Sequence, residues 1–487
     1  MRTIQEGPSF HHHNSSRLKK ISWLSLTTTI LIFFIILSST TSFWDNLLHF
    51  SKHSAKAATS SSTTPLINVP FFTTAVPFNQ TAIFWFGDVT STHNYTDVRI
   101  GSNSSELYID LHVVDRYLWY DPKTQAPNLN YGDNASIYLN TISNSSTTLG
   151  KQSYKFQAAV NGYKLRNNYQ QAYTVNGTTW NVANIPFTAV YGWRGNGFNG
   201  LEDRGWSMTY HIPFSSLGIS TPPSKGTLWK LAVQVHDRDD AANTPIPDKW
   251  WPQSASVANP SSWGDLSFGL LTYQPPPASG ISTYTIRNKL NNQVVIDGMV
   301  GGSLGCGSKV TDVWTQLGSQ SYPGAQRINI QNESDISDWN CFSKFYITFP
   351  LSSLPQGKGL INAKVTLYEY GNSGVQGKPN PSYIQVAVIN QDWNPATLSW
   401  NSAPLLQENI NNILVPTKSK PVLPWPGLAI TWDVSLAAAQ AYTGGRPLRL
   451  VFYSTDNQYN TGKYFTSSYV GDWDANGRPT LQVTLGS

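Results

Sequence analysis

Charge is scarce in this chain: only 13% of its 487 residues are Asp, Glu, Lys or Arg, and it holds two cysteines, three methionines and no histidine beyond His236. Each shortage excludes something. Six of the 33 basic and two of the 28 acidic side chains fall in residues 1–57, which leaves 27 against 26 in residues 58–487. So even a balance gives no positive field for a phosphate backbone, and nucleic acid is not an expected partner. Without histidine after position 236, the C-terminal half cannot build a Ser-His-Asp or Cys-His site. No His-Glu-x-x-His pair and no phosphate-cradling Gly-Lys-Ser loop occurs either. Of six glutamates, Glu202, with Asp203, Arg204 and Trp206 around it, is the one setting for a glycosidase carboxylate; the alternative is a charged loop that pins Trp206.

The two cysteines, Cys306 and Cys341, are too few for a zinc site without other ligands. They read either as one disulfide, in an oxidising compartment, or as two buried thiols. Ile21 to Leu37 is uncharged and mostly apolar and follows Arg17, Lys19 and Lys20. That order leaves the N-terminus cytoplasmic and sends the rest outside, through an uncleaved anchor or a cleaved signal peptide. An extracellular or cell-surface location is therefore expected, with the membrane as a partner through this segment.

What the chain has in abundance is aromatic surface: 18 Trp, 24 Tyr and 20 Phe. The run Asp115-Arg116-Tyr117-Leu118-Trp119-Tyr120-Asp121 follows an alternating strand and sets rings among charges. A pyranose offers axial C–H bonds to such a ring face and hydroxyls to flanking charges. Trp119, Tyr131, Trp250 and Trp251, with Arg116 and Asp121, are the candidate binding residues, whereas Trp229 and Trp400, on strands, read as core. His236-Asp237-Arg238-Asp239-Asp240, with Asp248 and Asp265 downstream, clusters hard oxygen donors. Asp237, Asp239 and Asp240 are candidate calcium ligands, against a salt-bridged turn around Arg238.

Short runs of period two recur throughout. Leu107, Ile109, Leu111 and Val113 face one way and Tyr108, Asp110 and His112 the other; Trp229 to Val235 and Phe345 to Phe349 repeat the pattern. The one helix marked in the C-terminal half is Ala437 to Tyr442. Gln274 to Gly280, with three consecutive prolines, reads as a linker. The expected order is a basic segment (1–20), a signal or anchor (21–44), a Ser/Thr-rich spacer (45–80), a β-sandwich (81–272), the Pro-rich linker (273–280) and a second β-sandwich (281–487). The fold class is all-β, with two antiparallel, jelly-roll-like sandwiches in a monomer.

Through Asp115 to Asp121, Ile212 to Gly218 and His236 to Asp240, residues 80–272 resemble the family nine carbohydrate-binding module. The resemblance implies a β-sandwich with structural calcium and a sugar end held between two tryptophans, here Trp119 with Trp250 or Trp251. At Asn130 to Asp133 the chain has Tyr131 where that family tends to place a tryptophan. Residues 281–487 resemble a DNRLRE domain, a class that includes family ninety-six carbohydrate-binding modules. The match rests on Leu351 to Pro355, Ala363 to Tyr368, Leu398 to Pro404, Trp432 to Val434 and Tyr464 to Ser468. Together these imply non-catalytic binding of a polysaccharide or oligosaccharide. A surface protein that binds a protein partner and a polysaccharide-active enzyme are the alternatives.

Overall fold

Alternation in sequence becomes alternation in space along the strand Glu106–Val114, whose Leu107, Ile109, Leu111 and Val113 are all interior. Its opposite row, Asp110 and His112, is buried as well, so this strand belongs to a sheet covered on both faces. The computed structural model describes residues 64–487 except 124, 143–146, 163–166, 303–304, 375–377 and 418–423. The basic segment, the apolar anchor and much of the spacer, residues 1–63, lie outside the described residues. Among the described residues no helix is long and apolar enough to cross a membrane.

Three sheets account for the architecture. A five-stranded antiparallel sheet runs Ala82–Gly87, Tyr95–Ser102, Glu106–Val114, Asp203–Pro213, Thr188–Gly195. A 13-stranded sheet begins Ile296–Gly301, Ser343–Phe349, Leu448–Ser454, Ser382–Val388, Glu408–Val415. It continues through Leu66–Val69 to Gly264–Phe268, Leu228–His236, Asn134–Asn140, Ser153–Ala159, Gln170–Asn176 and Thr179–Ala183, and Lys249–Trp251 pairs beside Leu228–His236. A six-stranded sheet contains Ser282–Arg287, Thr480–Gly486, Gly359–Asn372, Lys463–Thr466 and Arg327–Ile330, with Leu428–Asp433 alongside. The helix marked at Ala437 to Tyr442 is Ser435–Thr443 and packs its alanines into the core beside this last sheet.

Strand parity sets the layers. Ile137, Phe156, Leu231 and Val233 from one half of the large sheet share a core with Ile109, Leu111 and Tyr210 of the five-stranded sheet. Tyr346, Val451 and Tyr453, from the other half of the large sheet, belong to that same core. The intervening Phe345, Ile347, Leu450 and Phe452 point the opposite way, against Val365, Leu367, Leu481 and Val483 of the six-stranded sheet. The stack is therefore four layers: half of the large sheet, the five-stranded sheet, the other half, and the six-stranded sheet. Leu66–Val69 bridges the halves. It lies parallel to Gly264–Phe268 and meets Glu408 at Leu66, while Asn68 and Asn409 exchange hydrogen bonds of 2.7 to 2.9 Å.

The Pro-rich segment 273–280 does stop strand pairing, but the halves on either side share one sheet and one core. A proline signal reports only the local loss of ladder donors. At the junction, Lys344 is fully buried, with Nζ 3.8 Å from the Trp400 ring centroid, 4.3 Å from Trp85, 4.5 Å from Tyr95 and 4.8 Å from Tyr453. Asp97 opposite it accepts hydrogen bonds from Tyr95 Oη (2.6 Å), Tyr453 Oη (2.8 Å) and Asn332 Nδ2 (3.0 Å). Burial drives the Lys344 ammonium well below the usual lysine range.

Cys306 and Cys341 form a disulfide, 35 residues apart in sequence. Closing a loop of that length removes unfolded-state entropy worth about 3 to 4 kcal/mol. Replacing both cysteines by serine is expected to lower urea-unfolding stability by that amount, and an unchanged midpoint would show that the link contributes nothing.

Candidate functional site

Adjacent residues on a strand face opposite ways, and Trp250 and Trp251 show the consequence. Trp251, at 1% exposure, packs on Phe84 at 4.3 Å inside the first sandwich, while Trp250 remains half-buried on the outer face. Trp119 is also interior, at 8% exposure. Of the three indoles expected to lie open, only Trp250 reaches solvent on a sheet face. Tyr131 is 39% exposed, but its ring carries the Arg238 guanidinium, 3.9 Å from the centroid, which also sits 5.1 Å from Trp119. Asp121 is buried and accepts the Lys123 and Asn128 amides, so it shapes its loop. Arg116 lies over Tyr117 and 3.5 Å from Glu202. These two charges flank no open ring, contrary to the sequence expectation.

The half-buried rings Tyr173, Trp180 and Trp250 lie instead on the outer face of the first half of the large sheet, around a small buried cluster of Tyr138, Val175, Ala232 and Trp263. Register places Val182, Tyr173, Lys155, Tyr138 and Ala232 side by side across five strands. The neighbouring row is Gln171, Gln157, Ser136, Gln234 and Trp250. Two tyrosines flank Lys155 in one row, and three glutamines and Trp250 lie in the next. Tyr138 is the centre, 5.5 Å from Trp250 and 5.8 Å from each of Trp180 and Trp263. Its hydroxyl donates to Gln234 Oε1 at 2.7 Å, and Gln234 in turn donates to Asp248, which also contacts His236 Nδ1 at 2.7 Å. Lys155 Nζ lies 4.9 Å from the Tyr173 centroid and 5.6 Å from Tyr138. Burial pulls its ammonium down to about 8, against the pull of Asp248. The Trp180 indole N–H has no protein acceptor. Such a face offers apolar planes, amide donors and acceptors and one cation within reach of one another. Of these residues the sequence singled out only Trp250, His236 and Asp248, because the row residues other than Trp250 lie on five further strands and only their register gathers them.

A second constellation forms where three strands end. Asp115 follows Glu106–Val114, Asp133 precedes Asn134–Asn140, and Asp237 and Asp239 follow Leu228–His236, which pairs with it. Carboxylate oxygens of Asp115, Asp237 and Asp239 lie within 4.8 Å of one another. Asp237 is 3% exposed, and neither of its oxygens, nor Asp239 Oδ2, accepts a hydrogen bond. Desolvation, then mutual repulsion, pushes Asp115, Asp133 and Asp237 well above the carboxylate range and raises Asp239 to about 7. Asp133 is tied down by the amides of Trp119 (2.6 Å) and Arg238 (2.9 Å). Orphaned oxygens of this kind are hard donors in the arrangement a calcium ion takes. Asp240, expected among the ligands, instead accepts from the amide and hydroxyl of Thr244 and caps its turn. Asp248 and Asp265 pair with His236 and Lys230, away from the cluster. Asp115 and Asp133 carried no local signal, since each is a lone carboxylate far along the chain from Asp237.

Glu202 and Asp203 are each engaged within the protein. Glu202 accepts from the Trp314 indole at 3.2 Å, and Asp203 accepts the Gly197 (3.1 Å) and Leu118 (3.4 Å) amides. Trp206 is fully buried and donates to Asp115 at 3.1 Å.

No family model and no curated protein matches the chain. Among solved structures it is similar to a family nine carbohydrate-binding module from Caldicellulosiruptor kristjanssonii in complex with cellotriose, at 14% identity and TM-score 0.31, over 43% of this chain and all of that one. A module of the same family and organism in complex with glucose matches at 15% and 0.30, again over 43% and 100%. A protein from Bacteroides uniformis described as a candidate carbohydrate binder matches at 13% and 0.33, over 42% and 100%. At these scores the likenesses carry no argument about ligand.

Proposed function

We propose that this chain is a non-catalytic, extracellular or cell-surface carbohydrate-binding protein, a monomer that holds a polysaccharide or oligosaccharide on the outer face around Trp180 and Trp250. The carrying observation is the pair of in-register rows, rings beside amides, on a sheet face with its other side committed to the core. Sugar rings stack on Trp250 and Trp180 while the half-buried Gln171, Gln234 and Lys155 take hydroxyls. Calcium, when bound, supplies the positive charge that Asp115, Asp237 and Asp239 require. Those residues then hold two strand ends at fixed spacing, and Asp133 holds the Trp119 and Arg238 backbone against them. A disulfide in the C-terminal half fits an oxidising compartment.

Stacking one sugar face on Trp250 removes roughly 80 Å² of apolar area from water, about 2 kcal/mol at 25 cal/mol per Å². Trp250→Ala is therefore expected to weaken retention in a polysaccharide-containing native gel about 30-fold. Gln171→Ala, which removes a half-buried amide and no ring, is expected to weaken it less. Retention unchanged in Trp250→Ala removes this face from the site.

A further inference from the structure

At the far end of the stack, the outer face of the six-stranded sheet carries its own ring cluster, assembled from three separate segments. Ile328 and Phe465 point into the core, so their neighbours Arg327 and Tyr464 point out. Tyr370 sits between them, 6.3 Å from Tyr464 and 5.6 Å below the Arg327 guanidinium. Trp425 stacks on Tyr370 at 5.2 Å and 27°, and Trp473 meets Trp425 at 4.9 Å and 86°. The two indoles make an open corner, 42% and 65% exposed. A Cβ at Gly471 would come within 2.6 Å of Trp473 Cδ1, so glycine there lets the ring lie against its own backbone. Around the corner stand the Lys289–Asp472 pair at 2.9 Å and Asn476, which accepts from Arg287 at 3.3 Å. No hydrogen bond or ion pair engages Arg327 among the described residues.

Together the exposed parts of the two rings offer roughly 250 Å² of apolar surface, taking each indole at 200 to 250 Å². A stable protein interface needs about 800 Å² per partner. Two rings meeting at a right angle, rimmed by amide, guanidinium and ammonium groups, match the size and mixed polarity of one or two sugar units.

We infer that Trp425, Trp473 and Arg327 form a second saccharide platform, and that a single chain bridges two glycan strands. The bridging part rests on the reading given under Proposed function, because it requires the Trp250 face to bind as well. Its basis is the layer order. The Trp250 face is the outside of the first layer and the Trp425 face the outside of the fourth. At ~10 Å per layer, the two platforms are separated by roughly 30 Å or more of packed protein and face away from each other. One glycan strand lying straight on the first platform does not reach the second, so occupancy of both links separate strands.

The test uses residues 62–487, which form one compact unit, with hydroxyethyl cellulose, soluble xylan and alginate as probes. Native-gel retardation reads binding, turbidity and sedimentation of the mixture read bridging, and light scattering reads the mass of the protein alone. With a polymer that retards the protein, turbidity is expected to peak at an intermediate protein-to-polymer ratio. The Trp425→Ala, Trp473→Ala double variant is expected to keep retardation and lose at least nine-tenths of the turbidity. Trp250→Ala is expected to lose turbidity while the remaining retardation depends on Trp425 and Trp473. Retardation without turbidity overturns the bridging inference and leaves the first platform standing; turbidity that survives the double variant overturns the second platform. A protein retarded by none of the three polymers sinks both readings together.

Discussion

Calcium is expected to raise the thermal-unfolding midpoint by about 3 °C at pH 8 and by much less at pH 5, and excess chelator is expected to abolish the gain. Asp239 titrates near 7 in the folded chain, against 3.8 for a free aspartate, and Asp115, Asp133 and Asp237 are shifted the same way. Between about pH 4 and 7 the metal-free native state thus binds more protons than the unfolded chain. Its stability is fullest below the unfolded value and is lost as pH rises through the folded one. Calcium binds the deprotonated carboxylates, so its effect runs the other way and grows with pH. At a hundredfold excess over Kd, binding contributes about 2.7 kcal/mol. A unit of this length has an unfolding entropy of roughly 0.9 kcal/mol/K, which converts that figure to the stated ~3 °C. Asp237→Asn separates the two effects: it is expected to erase the calcium response and to make the metal-free protein more stable at pH 8, by removing a buried charge. A midpoint at pH 8 that ignores both calcium and chelator means that protons, not a cation, neutralise the cluster.

Asp97→Ala is expected to cost about 3 to 5 kcal/mol in urea unfolding. Three donors converge on this carboxylate from Tyr95, Tyr453 and Asn332, and Lys344 is buried beside it. Removing Asp97 leaves the Tyr95, Tyr453 and Asn332 donors without their acceptor in a ring-lined interior. Since Asp97 and Asn332 come from opposite halves of the chain, the loss falls on the contact that makes them one body. Intrinsic fluorescence and far-UV circular dichroism are expected to report one coincident transition in the unaltered chain and two in the variant. An unchanged urea midpoint shows that the junction is held by apolar packing alone.

How much of this was legible depends on whether the signal is local. Period two in Leu107 to Val113 declares a strand, and the same stretch shows that Asp110 and His112 face the other way. It does not say that a second layer buries them. Trp250 and Trp251 had to face opposite sides, but the inner side is decided by Phe84, which comes from another sheet. Trp119 looks as open as Trp250 in sequence because both sit among charges, and only the fold brings the Arg238 guanidinium to 5.1 Å from its ring and leaves it 8% exposed. Asp237 and Asp239 announce oxygen donors by their spacing. Asp115 joins them because two strand ends meet, and Asp240 leaves them because Thr244 claims it.

By itself the sequence determined the strand-rich character, the sparse and evenly balanced charge, the wealth of rings, and the pair of cysteines available to bond. Period, composition and count are properties of neighbouring residues, and they survive without a fold. Tertiary structure alone decided which rings reach solvent, which carboxylates meet, and that the two halves share one sheet. Each of those depends on strand register and layer order, which fix the distance between residues hundreds of positions apart.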